Sequence, residues 1–379
     1  MCGIAGYIGK DKINSKELNL LKKKMKNRGP DNFGSNIALL ENINVYLFHS
    51  RLNIVDLTNK ANQPFIINNY LVIFNGEIYN FKKLKSELIK KGYSFKTNSD
   101  TEVLLTMYIE YKEKCVSFFR GMWAFCIWDM KKKIFFLSRD SFGEKPLFFL
   151  KNKKNFYFGS EVKYIKTLLN KKLEINQELI KKSLLYGYKS IHKNNQTYFK
   201  NIYSVNPGES LILDYKLNLK IKKIENFNPS KIKENNKLND RHIINNIKNL
   251  VVKSVKETTV SDVPVAISLS SGIDSSVILG ILSKKLKLNI KAFSLIDRGK
   301  YNEKYLIEKN VKKNKISCDY VDIDYSEFIN KLKSIIDYQD QPISTITYFA
   351  QNQLMKEVSK KNYKVILSGS GADEMFAGY

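Results

Sequence analysis

Met1-Cys2-Gly3-Ile4-Ala5-Gly6-Tyr7-Ile8-Gly9 opens the chain with a thiol at position two and a short apolar run behind it. Removal of Met1 leaves Cys2 with both a thiol and a free α-amine. These groups titrate near pKa ~8.5 and ~8, so a thiol nucleophile at this position carries its own base. A modest push from the surroundings would then give a reactive thiolate at neutral pH. The plainer alternative is a small buried cysteine at the head of a strand over 4–8.

Working outward, short β-rich runs at 45–48, 71–74, 123–128, 134–137 and 156–159 are separated by Asn, Gly and Asp turns. Apolar spacing at Leu84, Leu88 and Ile89 predicts a helix over 81–91, and Val103, Leu104 and Met107 predict another over 100–111, capped by Asp100. A layered α+β domain over 2–215 is expected. Residues 216–240 turn polar and rich in Lys and Asn, with Pro229 and Ser230, and read as a linker. From 241 onward the pattern changes to a helix beginning near His242, a strand over 263–269, a Gly/Ser loop, a helix over 275–285 and a strand over 290–295. Strand, helix and strand in that order imply a parallel sheet.

Bulk composition narrows the function classes. Lys and Arg number 64 against 37 Asp and Glu, a net charge of +27, which would attract polyanions. The positive residues are scattered in short clusters along the whole chain, so solvated faces are favoured over a nucleic-acid patch. No apolar run reaches the ~18 residues of a membrane span, and the N-terminus lacks a secretion signal. Cys2, Cys115, Cys126 and Cys318 form no CxxC pair, so a cytoplasmic protein with free thiols and no membrane partner is expected. His49, His192 and His242 show no metal-ligand spacing.

Four short polar motifs of the N-terminal half could jointly build a pocket around the Cys2 thiolate: Arg28-Gly29-Pro30-Asp31, Arg51-Leu52-Asn53-Ile54-Val55-Asp56, Asn75-Gly76-Glu77 and Ser99-Asp100-Thr101-Glu102. Each has a structural reading by itself, Asn-Gly as a hairpin turn, Asp100 as a helix cap and Arg51 as a surface charge. Together they fit release of ammonia from glutamine. Attack on the side-chain amide makes an oxyanion that needs fixed donors, for which the Asn75 amide and Gly76 N–H are candidates. The α-carboxylate of glutamine suits a bidentate Arg51, and its α-ammonium suits Asp100 and Glu77.

With these strings in the order MCGIAGYIG, RGPD, RLNIVD, NGEIYN, SDTE and SRDSFGEKPLFF, the first 163 residues resemble the N-terminal-nucleophile glutaminase domain of class II amidotransferases, an αββα sandwich. The last string, with Arg139, Asp140, Gly143 and Pro146, resembles the asparagine synthetase branch. That resemblance implies Cys2, Asn75 and Gly76 as catalytic residues. It implies glutamine binding by Arg51, Leu52, Ile54, Val55, Asn75, Gly76, Glu77 and Asp100.

In the C-terminal part, Ile267-Ser268-Leu269-Ser270-Ser271-Gly272-Ile273-Asp274-Ser275-Ser276 lies between an apolar strand and a helix, where backbone N–H groups converge on phosphate. Asp274 faces phosphate only if Mg²⁺ joins them. The Gly-Lys-Ser/Thr ending of a Walker loop is missing. The loop resembles the pyrophosphate-binding signature of ATP pyrophosphatases, with Ser271 where many relatives carry Gly. The resemblance implies ATP contacts from Leu269, Ser270, Gly272, Asp274, Ser275, Ser276, Leu295, Ser368 and Gly369, with Mg²⁺ shared by Asp274 and Asp373.

The whole pattern resembles glutamine-hydrolysing asparagine synthetase, with glutamine, aspartate and ATP as substrates, an ammonia tunnel between two sites and pairing into a homodimer through the glutaminase domain. Ser370 stands where the family carries an acidic residue, and Asp340-Gln341-Pro342 replaces Asp-Glu-Pro. These departures leave open a different carboxylate acceptor, such as a sugar acid or secondary metabolite. An RNA-modifying ATP pyrophosphatase would use the basic charge but leaves Cys2, Arg51 and Asp100 unexplained. The family's synthetase domain carries further helices beyond the point matching residue 379, so an incomplete C-terminal domain over 241–379 is expected.

Overall fold

Alternation along the first strand, β1 (Gly3–Gly9), sets up the layers of the N-terminal unit in the computed structural model of the chain. Ile4 and Ile8 point into one apolar core with Val45, Leu47, Leu71, Ile73, Ala124 and Leu137. Ala5 and Tyr7 point into another with Leu21, Met25, Ile165 and Leu168. Successive side chains of a strand face opposite ways, so this strand is apolar on both faces because it is covered on both. The structure describes residues 1–187, 195–223, 239–299, 302–376 and 378.

The remaining strands of this unit are β2 (Asn32–Leu40), β3 (Ile43–Arg51), β4 (Phe65–Ile67), β5 (Tyr70–Ile78), β6 (Gly121–Asp129), β7 (Ile134–Arg139), β8 (Phe148–Lys151), β9 (Asn155–Gly159), β10 (Tyr203–Ser204), β11 (Glu209–Asp214) and β12 (Leu219–Lys223). They form two six-stranded sheets, in the orders β10-β8-β9-β1-β3-β2 and β12-β11-β7-β6-β5-β4. Their inner faces share the first core. Helices α1 (Ser15–Met25) and α4 (Val162–Leu169) cover the first sheet, whereas α2 (Phe81–Lys90) and α3 (Asp100–Tyr111) pack together beside β5 of the second. The result is the expected αββα sandwich.

The chain divides into two compact units, Met1–Ile232 and Lys233–Tyr379. The linker expected at 216–240 starts too early, because Leu217 is buried and β12 pairs with β11 over Leu219–Lys223. Pro229 and Ser230 lie outside the described residues, as does His192. The Asn-Gly turn reading of 75–76 is also corrected: both residues lie inside β5, paired with Ala124 and Trp123.

In the second unit a wholly parallel sheet has the order β15-β14-β13-β16, with β13 (Val265–Ser268), β14 (Lys291–Ile296), β15 (Ser317–Asp322) and β16 (Val365–Leu367). The chain moves outward from β13 to β15, then returns to the other side of β13 as β16. Loops leaving the carboxyl ends of β13 and β16 therefore flank a topological switch point, where open α/β sheets bind ligands. The helix expected over 275–285 is Ile273–Gly280 continued by a π-helical turn at Ile281–Lys285. Among the described residues no helix is long and apolar enough to cross a membrane.

Candidate active site

Cys2 stands just ahead of β1, which runs between β3 and β9 at the centre of its sheet. Its Sγ lies 3.4 Å from the Leu52 N–H, and the thiol points to the Leu52 carbonyl at 3.7 Å. Arg28 donates from Nε to the Cys2 carbonyl at 2.8 Å and pairs with Glu161 at 3.2 Å. Met1 is attached, so the Cys2 nitrogen is a peptide N–H, and the Met1 α-amine is drawn down to about 6 mainly by burial. Burial pushes the Cys2 thiol up, opposed by Leu52 and by the charges of the N-terminus and Arg51. This differs from the expected push towards thiolate: desolvation penalises the charged form, so the thiol needs a base or a counter-charge.

Asn75, on β5, is 1% exposed, and neither its Oδ1 nor its Nδ2 has a hydrogen-bond partner. Buried amides are rarely left so; an uncommitted donor is what a developing oxyanion requires. Gly76 is demanded by packing. A Cβ there would stand 2.1 Å from the Met122 carbonyl oxygen and 2.8 Å from the Trp123 Cα across the ladder.

Arg51 ends β3 and is 4% exposed, not a surface charge. Its NH1 donates to the Thr58 carbonyl and Asn62 Oδ1, both at 2.8 Å, and NH2 donates to the carbonyls of Val55 and Asp56. The guanidinium thereby holds loop 52–58, which carries Ile54 and Val55 and whose Leu52 contacts Cys2. The bidentate fork expected for a substrate carboxylate is engaged by loop carbonyls here.

Asp100 begins α3, and Ser99 caps that helix by accepting from Thr101 N–H. The expected cap residue is thus displaced by one. Asp100 Oδ2 instead accepts the Ile78 N–H at 3.0 Å, tying α3 to the end of β5. Burial raises its carboxyl to about 6. Burial, then the nearby Asp100, raises Glu77 to about 7.

Arg139 and Asp140, which as a lone pair would be an ion bridge, organise a turn. Asp140 accepts the N–H groups of Trp123, Phe142, Glu144 and Lys145 at 2.9 to 3.1 Å. Arg139 donates to the carbonyls of Gly143, Lys145 and Val205 and to Ser204 Oγ. What the turn delivers is Lys145, 6% exposed, its Nζ 3.3 Å from Met1 Sδ.

In the second unit Leu269 leaves β13 with its N–H on the Phe293 carbonyl, and Ser294 Oγ donates to the Leu269 carbonyl at 2.7 Å. Ser270 and Ser275 hydroxyls lie 3.1 Å apart, Gly272 N–H donates to Ser270 Oγ, and Ser276 Oγ donates to the Gly272 carbonyl. The Ser271 N–H reaches Glu303 at 3.1 Å. The β16 loop lies against this turn, since a Cβ on Gly369 would meet the Ser275 nitrogen at 2.7 Å and Asp274 Cβ at 2.8 Å. Ser368 donates to Ser370 at 3.2 Å, Leu295 is half-buried on β14, and Asp274 and Asp373 are both partly exposed.

A family model described as a glutamine amidotransferase domain matches residues 1–223, and one described as asparagine synthase matches 246–379. The chain is 33% identical, over its full length, to a putative glutamine-hydrolysing asparagine synthetase of Methanocaldococcus jannaschii, 76% of which it covers. The chain belongs to the glutamine-hydrolysing asparagine synthetase family. A Bacillus subtilis asparagine synthetase is 32% identical over the whole chain, which spans 59% of that relative's length. An amidase of Gibberella zeae, chry2, is 26% identical over the whole chain, again covering 59% of the relative.

For a member of this family, Lys145 and Arg28 lie within the polar motifs yet had no role that their residue types announced. Only a signal of burial would have marked Lys145, because a lysine inside a polar string reads as a solvated charge. The carboxylates of Asp274 and Asp373 are hard oxygen donors of the kind that would hold Mg²⁺. Among the described residues no cluster of three acidic, His or Cys side chains could hold a metal alone.

Proposed function

We propose that the N-terminal unit releases ammonia from glutamine and that the second unit activates aspartate with ATP for amidation to asparagine. The observation that carries this reading is the buried, unpartnered Asn75 amide beside β1 and β3 in a chain whose second residue is cysteine. With Met1 removed, the Cys2 α-amine takes the thiol proton and sulfur attacks the amide carbon. Asn75 Nδ2 and the Gly76 N–H hold the oxyanion, the carbon–nitrogen bond breaks, and ammonia departs with that proton. Water then cleaves the thioester to glutamate. Glu77 and Asp100 face the substrate ammonium, and Arg51 keeps loop 52–58 closed on the thiol.

The carboxylate of the acceptor displaces pyrophosphate from the α-phosphorus of ATP, and ammonia displaces AMP. Ser270, Gly272, Ser275 and Ser276, at the N-terminus of the helix after β13, cradle the phosphates, with Ser368 and Gly369 beside them and Leu269 and Leu295 towards the base. Asp274 and Asp373 would hold Mg²⁺, whose chemistry there would be charge neutralisation of pyrophosphate. Ser370 supports a second reading, in which another carboxylate takes the place of aspartate, as does the likeness to an amidase. Product masses with aspartate and with sugar acids separate the two.

The deciding experiment measures glutamine-derived ammonia and aspartate-dependent pyrophosphate for the wild type and Cys2→Ala. Loss of the first with ammonium still supporting the second is the expected result. Glutaminase activity surviving in Cys2→Ala removes the proposed nucleophile.

A further inference from the structure

The charges of Asp140 and Arg139 are engaged by the backbone of the turn they build and by Ser204. Four backbone N–H groups go to one carboxylate and three carbonyls go to one guanidinium, and the side chain so fixed is a buried lysine. Lysine is almost never buried without a partner, and burial lowers the affinity of Lys145 for its proton; Glu77 is the first charge that opposes this. Around Lys145 stand Glu77 on β5, Glu144 in its own turn, Arg28 after α1, and Cys2 with the N-terminus at the head of β1. Asp100 on α3 faces Glu77, and Arg51 faces Cys2. The thioether of Met1 occupies the approach to the ammonium, 3.3 Å from Lys145 Nζ and 3.7 Å from an Arg28 nitrogen.

Glu77, Asp100 and a Cys2 thiolate crowd three negative charges into a site that burial makes hostile to each. We propose that Lys145 is the positioning cation of this site, the fixed counter-charge to the Glu77 carboxylate and the Cys2 thiolate. The assignment rests on the reading of Cys2 as the nucleophile. Removal of Met1 withdraws the sulfur from Nζ and leaves the ammonium to those two groups. Lys145 makes and breaks no bond in the reaction; it acts through the charges of Glu77 and Cys2.

The test uses full-length protein with Met1 removed, verified by mass, as wild type, Lys145→Met and Lys145→Arg. Iodoacetamide labelling of Cys2 is followed from about pH 5.5 to 9.5, alongside kcat and KM for glutamine over the same range. In Lys145→Met the labelling midpoint moves up by about one unit, so labelling at pH 7 slows about tenfold. The acid limb of kcat/KM moves the same way, and Lys145→Arg restores both. Melting temperatures accompany each variant, and Lys145→Gln replaces Lys145→Met if the latter melts below the assay temperature. A labelling profile unmoved in Lys145→Met, or an equal loss in Lys145→Arg, overturns the assignment. Labelling needs no substrate, so it decides the role of Lys145 even if the wild type releases no ammonia, a result that would overturn only the functional reading.

Discussion

Asn75 is costly to the fold as it stands, because a buried amide with no partner forgoes the hydrogen bonds it had in water. Asn75→Ala is therefore expected to leave the melting temperature equal or higher while lowering kcat for glutamine hydrolysis by about 10²- to 10³-fold. A matched calorimetric scan and ammonia assay check both halves. Asp100 gives a second test with a definite sign. Its carboxyl titrates near 6 when folded against ~3.9 unfolded, so the native state holds a proton that the unfolded chain has lost. Stability from this group is complete below ~3.9 and is lost as pH rises through 6. Asp100→Asn should melt with the wild type at about pH 4 and above it at about pH 8, with a raised KM for glutamine; a wild-type advantage at the higher pH would refute this. Cys2, Asn75, Glu77 and Asp100 could be picked out as candidates because their side-chain chemistry fits the proposed reaction. The engagement of Arg51 with loop carbonyls could not, since no residue type announces which acceptors it will meet.

At the level of elements, the sequence exposes what is periodic and hides what is packed. Strands β5, β6 and β7 are dense in β-branched and aromatic residues and stand out at once. The short β10 and β12 do not, because pairing with β8 and β11 defines them more than composition. Asn75-Gly76 carries the strongest local hairpin signal, yet the ladder with Ala124 and Trp123 overrides it. Gly76 is there so that β6 can approach. Gly76→Ala should therefore separate β5 from β6 and leave insoluble protein or one melting many degrees lower, as followed by circular dichroism. The Asp140 turn makes a harsher case: Asp140→Ala abandons four N–H donors, each costing roughly 1–3 kcal/mol if left unpaired. Asp140→Asn keeps acceptor capacity on one oxygen and should lose less. Equal melting of the two variants would show that the turn does not depend on that carboxylate.

For the molecule as a whole, two units of different sheet type were readable from one change of rhythm, antiparallel runs with short turns giving way to strand, loop and helix. The strand order of the second unit was not readable, since nothing local says that β16 returns beside β13. That return brings Gly369 against Asp274 and Ser275. Asp274→Asn is expected to cut aspartate-dependent pyrophosphate release more than about 100-fold, an order set by loss of a metal-binding charge, and to leave glutaminase turnover unchanged. A parallel fall in both activities would argue against two separate chemistries.

The central place of β1 in its sheet has a bearing on biosynthesis. Its neighbour β3 leaves the ribosome early, but β9, on the other side, follows only after Asn155 has been made. At ~5–20 residues per second, that leaves roughly 7–30 s in which the first strand has an open edge. Trimming by methionine aminopeptidase falls naturally in this window, before the amine is enclosed. Nascent chains arrested short of residue 155 should lose their initiator readily, and chains arrested well past 159 should lose it more slowly.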